Sequence, residues 1–304
     1  MPALTSEFKS GYVAIVGEPN VGKSTLLNAL LGEKLSIVTA KPQTTRQRVL
    51  GIFNDERAQI VFLDTPGLIK PKYLLHAKML EFADWALEDA DLILIMTEVG
   101  KQGTLPSEVE ERVLKRHADK ILFAVINKVD AVYKPHVLPV MDKLIRRNQF
   151  REVIPISALK RQNLDDLLNT IIRYLPNGNP LYPTDILSEH PERFFVSEFI
   201  REKIFERFSQ EVPYSTAVEI REFKERETGG AYILADIVVE RPTQKAILIG
   251  KHGQSLKEVG SAAREEIERF LQRKVFLELF VKVRENWRDK EQSLRNLGYH
   301  MGKQ

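Results

Sequence analysis

The first half of the chain alternates short apolar runs with stretches of helical spacing. "GYVAIVG" (11–17), "DADLILIM" (89–96), "KILFAVINKVD" (120–130) and "EVIPISA" (152–158) are continuous apolar runs of strand length, the kind buried on both faces of a sheet. "KSTLLNALLG" (23–32), "PSEVEERVLKR" (106–116) and "NLDDLLNTIIRYLP" (163–176) have helical spacing, and Gly32 is placed to cap the first of them. "RVLGIFN" (48–54) and "AQIVFLDTPG" (58–67) flank Asp55-Glu56-Arg57 and predict a hairpin. This alternation predicts an α/β domain with a mainly parallel sheet, helices on both faces and one antiparallel edge strand.

The rhythm breaks at "LPNGNPLYPTD" (175–185), where prolines, a glycine and asparagines predict a linker. A different order follows. A long amphipathic helix (191–208) is succeeded by strands over 214–226 and 230–241, joined through "ETGG". Then come a short apolar helix (243–249), the loop "GKHG" (250–253), a helix (255–272) and an alternating strand (274–287). The expected organisation is a first domain over 1–180, a linker over 181–190, and an α+β second domain over 191–304 with a C-terminal helix.

Composition narrows the class. The 304 residues are 43% apolar and 29% charged, enough to bury a core and too apolar for disorder. There is no cysteine, which excludes disulfides, thiolate zinc sites and cysteine nucleophiles. The stretch "MPALTSEFKS" has no apolar signal region, and no apolar run approaches the ~20 residues that span a bilayer. A soluble cytoplasmic monomer is expected. The net charge of +3 hides an asymmetry: residues 181–244 hold 8 Lys+Arg against 13 Asp+Glu, whereas residues 245–304 hold 13 against 8. The basic excess follows "GKHG" and points to an anionic partner there.

Four motifs, each at a strand end, carry the chemistry. "GEPNVGKS" (17–24) fits the phosphate-loop pattern between a strand and a helix. Gly17, Glu18, Pro19, Asn20, Val21 and Gly22 wrap phosphates with backbone N–H groups, and the helix beginning at Lys23, Ser24 and Thr25 adds its positive end. Lys23 would reach the β- and γ-phosphates, and the Ser24 hydroxyl would hold Mg²⁺. In "DTPG", Asp64 would hold Mg²⁺ through its water shell, with Thr65 and Pro66 leading to Gly67, whose N–H would meet the γ-phosphate. In "NKVD", Asp130 accepts two hydrogen bonds from guanine N1 and N2, a donor pair that adenine lacks. Asn127 would see the base edge and Lys128 would lie along its plane. In "SAL", the backbone at Ser157, Ala158 and Leu159 would meet guanine O6. Together these motifs predict a Mg²⁺-dependent enzyme hydrolysing GTP to GDP and phosphate.

With these residues in place, the first domain resembles the TrmE–Era class of translation-factor-related GTPases. "KPQTTRQR" (41–48) is similar to the switch segment of that class, which implies that Thr45, with Thr44 as the alternative, completes the Mg²⁺ shell. The residue after "DTPG" is Leu68, where Ras-like GTPases carry a water-orienting glutamine. Slow intrinsic hydrolysis is therefore expected. Relatives of this class use a potassium ion held by the phosphate-loop asparagine, which Asn20 matches.

"GKHG" lacks the length for a triphosphate and has no hydroxyl residue after its lysine. Gly-x-x-Gly between a short and a long helix is the setting of the KH fold, whose loop clamps about four nucleotides of single-stranded RNA. Gly250 and Gly253 let the RNA backbone approach, Lys251 pairs with a phosphate, His252 sits inside the loop, and Ile247, Leu248 and Ile249 are expected to wall the groove. The element order resembles the type II KH arrangement. A GTPase domain followed by such a domain resembles the Era family, over nearly the whole chain. That resemblance implies a GTP-controlled switch binding the 3′ end of 16S rRNA in small ribosomal subunit assembly, with peripheral association at the inner membrane reported for the family. An RNA-binding module with a structural nucleotide, or an RNA-modification GTPase, is the alternative. His76, His117, His136 and His190 have no companions at ligand spacing. Trp85, Trp287 and the phenylalanines of helix 191–208 are expected to pack rather than to bind.

Overall fold

The computed structural model describes residues 8–226 and 229–299. Part of the N-terminal stretch read for a signal, and residues 227 and 228 of the strand joint, lie outside them. Contacts divide the chain into two compact units. Unit 1 comprises Met1–Ser36, Thr45–Pro71 and Met79–Glu189; unit 2 comprises Ile37–Thr44, Lys72–Lys78 and His190–Gln304. Residues 181–189 thus make their contacts in unit 1, and two short stretches of the N-terminal half make theirs in unit 2.

Unit 1 is built on a six-stranded sheet. Its strands are β1 (Lys9–Gly17), β2 (Val49–Asn54), β3 (Ala58–Asp64), β4 (Leu92–Glu98), β5 (Ile121–Asn127) and β6 (Glu152–Pro155), in the order β2-β3-β1-β4-β5-β6. All pairs are parallel except β2 with β3, so the edge strand expected from the hairpin is present. The helices are α1 (Lys23–Leu31), α2 (Leu74–Asp89), α3 (Ser107–Val109) continued by a π turn (Glu110–Leu114), α4 (Val137–Ile145) and α5 (Leu164–Tyr174). Gly32 caps α1 in the left-handed region (φ 75°), its N–H donating to Asn28 O at 3.0 Å. The central strands are buried on both faces, as continuous apolar runs require. The Lys120 ammonium closes the end of α2 by donating to the carbonyls of Leu87, Glu88 and Ala90 at 2.5–2.8 Å.

The proline-rich segment is a strap rather than a free linker. Ile52 N–H donates to Leu187 O at 2.8 Å, and the Ser188 hydroxyl donates to Leu50 O. The buried Gln59 side chain accepts from the Leu181 and Tyr182 amides at 2.6 and 2.8 Å and donates to Tyr182 O. The bonds to Ile52 and Leu50 cover part of an edge that β2 would otherwise expose.

Unit 2 runs α6 (Glu192–Arg207), β7 (Ala217–Glu225), β8 (Ala231–Val239), α7 (Pro242–Ile249), α8 (Gln254–Leu271), β9 (Val275–Val283) and α9 (Glu291–Asn296). Its sheet order is β7-β8-β9, with β8 antiparallel to β7 and parallel to β9. This is the type II KH arrangement. Phe195, Phe199 and Phe205 of α6 are buried, the first two against Phe270 of α8 at 5.2 Å. Trp287 is fully buried and donates from Nε1 to Ser215 O at 2.9 Å. These aromatics belong to the core.

Candidate functional site

In unit 1, β1 lies between β3 and β4, so the connections leaving it diverge to opposite sides. A crevice forms at the carboxyl ends of the strands at such a point. The phosphate loop leaves β1 there, and Asp64, Asn127 and the loop of Ser157 follow β3, β5 and β6 at the same edge. Gly22 adopts φ 100°, and a Cβ at that position would collide with the side-chain amide of Asn127. Only glycine lets the loop close against β5.

Lys23 is buried and donates from Nζ to Glu18 O at 2.9 Å and Gly17 O at 3.2 Å. Burial lowers its pKa to about 8, although Asp64 and Glu18 act to raise it. Desolvation of the ammonium thus outweighs the counter-charge that Asp64 and Glu18 provide, and phosphate oxygens in the loop would add to it. A base whose folded pKa lies below its ordinary value destabilises the fold while charged. The nucleotide-free chain accordingly gains stability as pH rises from about 8 toward 10.5. Nucleotide binding restores the charged form, so it takes up a proton above pH 8. GTP affinity is expected to be flat just below pH 8 and to fall by up to about tenfold per pH unit above it. A titration of Kd against pH checks this; a flat profile to about pH 9.5 contradicts it.

Three oxygens converge beside Lys23. Ser24 Oγ donates to Asp64 Oδ2 at 2.7 Å and shares a hydrogen bond with Thr45 Oγ1 at 2.9 Å. Asp64 is fully buried, its other oxygen Oδ1 has no hydrogen-bond partner, and burial raises its pKa against the opposing pull of Lys23. A buried carboxylate with an unpaired oxygen, flanked by two hydroxyls, is a donor set suited to a hard divalent cation. The residues present fit Mg²⁺. Thr45, and not Thr44, supplies the hydroxyl beside Ser24. The Thr65 hydroxyl donates to Ile15 O at 2.8 Å and ties the end of β3 to β1. Leu68 is buried in the core and its N–H donates to Gly17 O at 3.1 Å, so it anchors the segment after Gly67. It contributes nothing to positioning water.

The residues expected at the base lie at the ends of β5 and β6. Asn127 is buried, donates to Val21 O at 2.8 Å and accepts from Ala158 N at 2.9 Å. Its side chain ties the phosphate loop to the loop after β6. The Ala158 amide is thereby engaged, as are Ser157 N with Gln162 O and Lys160 N with Ser157 Oγ. A guanine O6 at this turn would share the Ala158 amide with Asn127 Oδ1. Lys128 has a left-handed backbone (φ 61°) and pairs with Glu98 at 2.5 Å. Asp130 is exposed in the turn that follows, open to a base.

In unit 2, Gly250 (φ 71°) and Gly253 (φ 77°) bracket the turn between α7 and α8. A Cβ on Gly250 would run into the Ser255 side chain. Lys251 and His252 are exposed at the tip. A groove of about 360 Å³ opens beside the turn, lined by Gly253, Leu256, Lys257, Gly260, Ser261, Arg264, Leu277 and Leu279. The apolar wall expected from 247–249 is only partly there: Leu248 is fully buried in the core and Ile247 is about half exposed. Leu277 and Leu279 of β9 supply it instead. The helical positions had a signal in the sequence, since Lys257, Gly260 and Arg264 fall on one face of α8, next to Gly253 at its start. Lys251→Ala is expected to weaken RNA binding and to reduce the slope of log affinity on log salt by about 0.7, the value for one single-strand phosphate contact. An unchanged slope contradicts a phosphate contact at Lys251.

Among the described residues, no group of three or more His, Cys, Asp or Glu is arranged to hold a metal, and no helix is long and apolar enough to cross a membrane.

The chain is similar to known proteins along its whole length. Residues 12–128 match the family described as 50S ribosome-binding GTPase, and residues 211–288 match the KH domain. It is 49% identical to GTPase Era of Geobacter metallireducens, over 96% of this chain and 98% of that one. It is 44% identical to GTPase Era of Clostridium perfringens, again over 96% and 98%. The crystal structure of Era in complex with MgGDPNP and nucleotides 1506–1542 of 16S ribosomal RNA superimposes with a TM-score of 0.93, at 44% identity, covering 97% of this chain and 100% of that one. That of an Aquifex aeolicus Era variant bound to GDP·AlF4⁻ gives the same score, identity and coverage.

Proposed function

This chain belongs to the GTPase Era family, and from that premise we propose that it is a GTP-hydrolysing switch whose KH domain holds the 3′ end of 16S ribosomal RNA during small-subunit assembly. One observation carries the reading most directly: Ser24, Thr45 and Asp64 meet within 2.7–2.9 Å beside a buried lysine whose desolvation outweighs its counter-charges. The amides of 17–22 and the start of α1 bind phosphates, and Lys23 neutralises charge between the β- and γ-phosphates. Ser24, Thr45 and Asp64 would hold Mg²⁺, which when bound offsets the phosphate charge that builds in the transition state. Gly67 N–H meets the γ-phosphate, and Asp130 selects guanine. In unit 2, Gly250 to Gly253, Lys257 and Arg264 meet RNA phosphates, while Leu277 and Leu279 floor a groove for bases.

Two assays test this together. Phosphate release from GTP should require Mg²⁺, and the chain should bind a single-stranded 16S 3′-terminal segment. Failure of the first removes the enzyme; failure of the second removes the target. A structural-nucleotide protein is the rival, and it would bind RNA equally well with GTP and GDP.

Water must be placed by something other than Leu68. Asn20, in the left-handed region at φ 65° within the phosphate loop, matches the family's potassium ligand. Turnover is expected to rise several-fold in K⁺ over Na⁺ at equal ionic strength, and identical rates would contradict it. A cytoplasmic location follows from the ribosomal target. Burial of Phe195, Phe199 and Phe205 argues that α6 serves the core and is not the element for peripheral membrane contact.

A further inference from the structure

The two stretches of the N-terminal half that make their contacts in unit 2 are 37–44 and 72–78. The first ends one residue before Thr45, and the second begins five residues after Gly67. Each therefore adjoins a group expected at the magnesium or the γ-phosphate.

Residues 37–44 are fastened to α6 at three places. Val38 N–H donates to the buried carboxylate of Glu202 at 3.1 Å. The Lys41 ammonium donates to the carbonyls of Phe205 and Phe208. The Arg201 guanidinium, 1% exposed and paired with Glu198, donates to Thr44 O. The Lys41 contact has a clear physical basis. The last carbonyls of a helix have no partner within it and carry the negative end of its dipole. An ammonium there satisfies both. Residues 72–78 are fastened in parallel: Leu74 N–H donates to Asp289 Oδ1 at 3.0 Å, and Arg288 lies 4.5 Å over the Tyr73 ring. His76 and Gln43, 3.1 Å apart, join the two stretches.

We propose that Lys41, Arg201 and Glu202 form a positioning clasp, through which α6 fixes residues 37–44 and so sets where Thr45 stands beside Ser24. The inference rests on the GTPase reading of that site and adds the residues that govern it from α6. None of the three touches nucleotide; they are positioning residues. Because GDP lacks the γ-phosphate, the clasp bears on Mg²⁺·GTP and leaves GDP affinity alone. Linkage makes the effect reciprocal for binding: what alters α6 alters Mg²⁺·GTP affinity, and bound Mg²⁺·GTP alters α6.

The test uses the full chain with Lys41→Met, which keeps the aliphatic stem and removes the charge, and Lys41→Arg, which restores it. Hydrolysis is followed against Mg²⁺ concentration, and GDP affinity is measured alongside. Lys41→Met is expected to raise the Mg²⁺ concentration for half-maximal hydrolysis by about threefold or more with GDP affinity unchanged, and Lys41→Arg to recover most of that shift. Arg201→Lys, which retains a donor in the buried site, should shift it in the same direction. A Mg²⁺ dependence for Lys41→Met that matches the parent overturns the clasp, as does a loss shared equally by GDP affinity, which marks a merely structural role. A parent chain without Mg²⁺-dependent hydrolysis overturns the GTPase reading itself, and the clasp with it.

Discussion

Asp130→Asn is expected to lower GTP affinity by about 10²–10⁴-fold while leaving the fold intact. The carboxylate accepts from guanine N1 and N2, and each hydrogen bond to a charged acceptor contributes about 1.5–3 kcal/mol. Asparagine keeps one acceptor and turns the other position into a donor, which then faces the N2 donor of guanine. About 3–6 kcal/mol is at stake, at about 1.4 kcal/mol per tenfold. Because Asp130 is exposed in a short turn after β5, the change costs little packing. The same chemistry gives a positive control. Xanthine carries an oxygen where guanine carries N2, so the variant amide can donate to it, and binding should recover with a xanthine nucleotide. Nucleotide titrations with both bases check this. Equal loss of both would mean that Asp130 supports the loop and does not read the base.

Lys23→Met should separate function from stability in opposite directions. The methionine keeps an unbranched apolar stem in a buried site and removes the ammonium. One charge-assisted contact to the β- and γ-phosphates is then lost, and triphosphate affinity is expected to fall by about 10²–10³-fold, or roughly 3–4 kcal/mol. The nucleotide-free protein should become more stable at neutral pH, because burial already lowers the Lys23 pKa to about 8 and the charged form is disfavoured there. Thermal melts of the nucleotide-free chain near neutral pH, together with GTP titrations, read both effects. A variant less stable than the parent would indicate that the bonds to Gly17 O and Glu18 O outweigh the desolvation of the ammonium.

The strands of both units were legible because their residues are apolar without interruption or alternate strictly, and the motifs lie where each strand ends. The meeting of Ser24, Asp64 and Thr45 was in reach too: Ser24 and Asp64 follow from local motifs, and Thr45 from the resemblance of 41–48 to the switch segment of the class. Helices α2 and α4 left weaker marks. α2 has its first turn in unit 2 and the rest in unit 1, so no single apolar face spans it. α4 is only nine residues long and carries Pro139 in its first turn. The strap over β2 was hidden because proline, glycine and asparagine describe a break in regular structure and say nothing about what the break lies against. The framing bonds of Asn127 and the burial of Leu248 went unforeseen for a related reason. Residue type predicts the bonds a side chain can make, but which partner reaches it first is decided by the fold: Val21 and Ala158 for Asn127, the KH core for Leu248. The fastening of 37–44 to α6 depends on pairings 157–167 residues apart in sequence, for which no local signal exists.

Affinity of the intact chain for the 3′-terminal 16S rRNA segment, measured at fixed salt with a GTP analogue, with GDP and without nucleotide, tests the central claim most directly. A switch requires the two nucleotide states to differ by at least about tenfold, or about 1.4 kcal/mol. Tight RNA binding with the same affinity in all three conditions would contradict it, and would leave an RNA-holding module beside a GTPase that works independently.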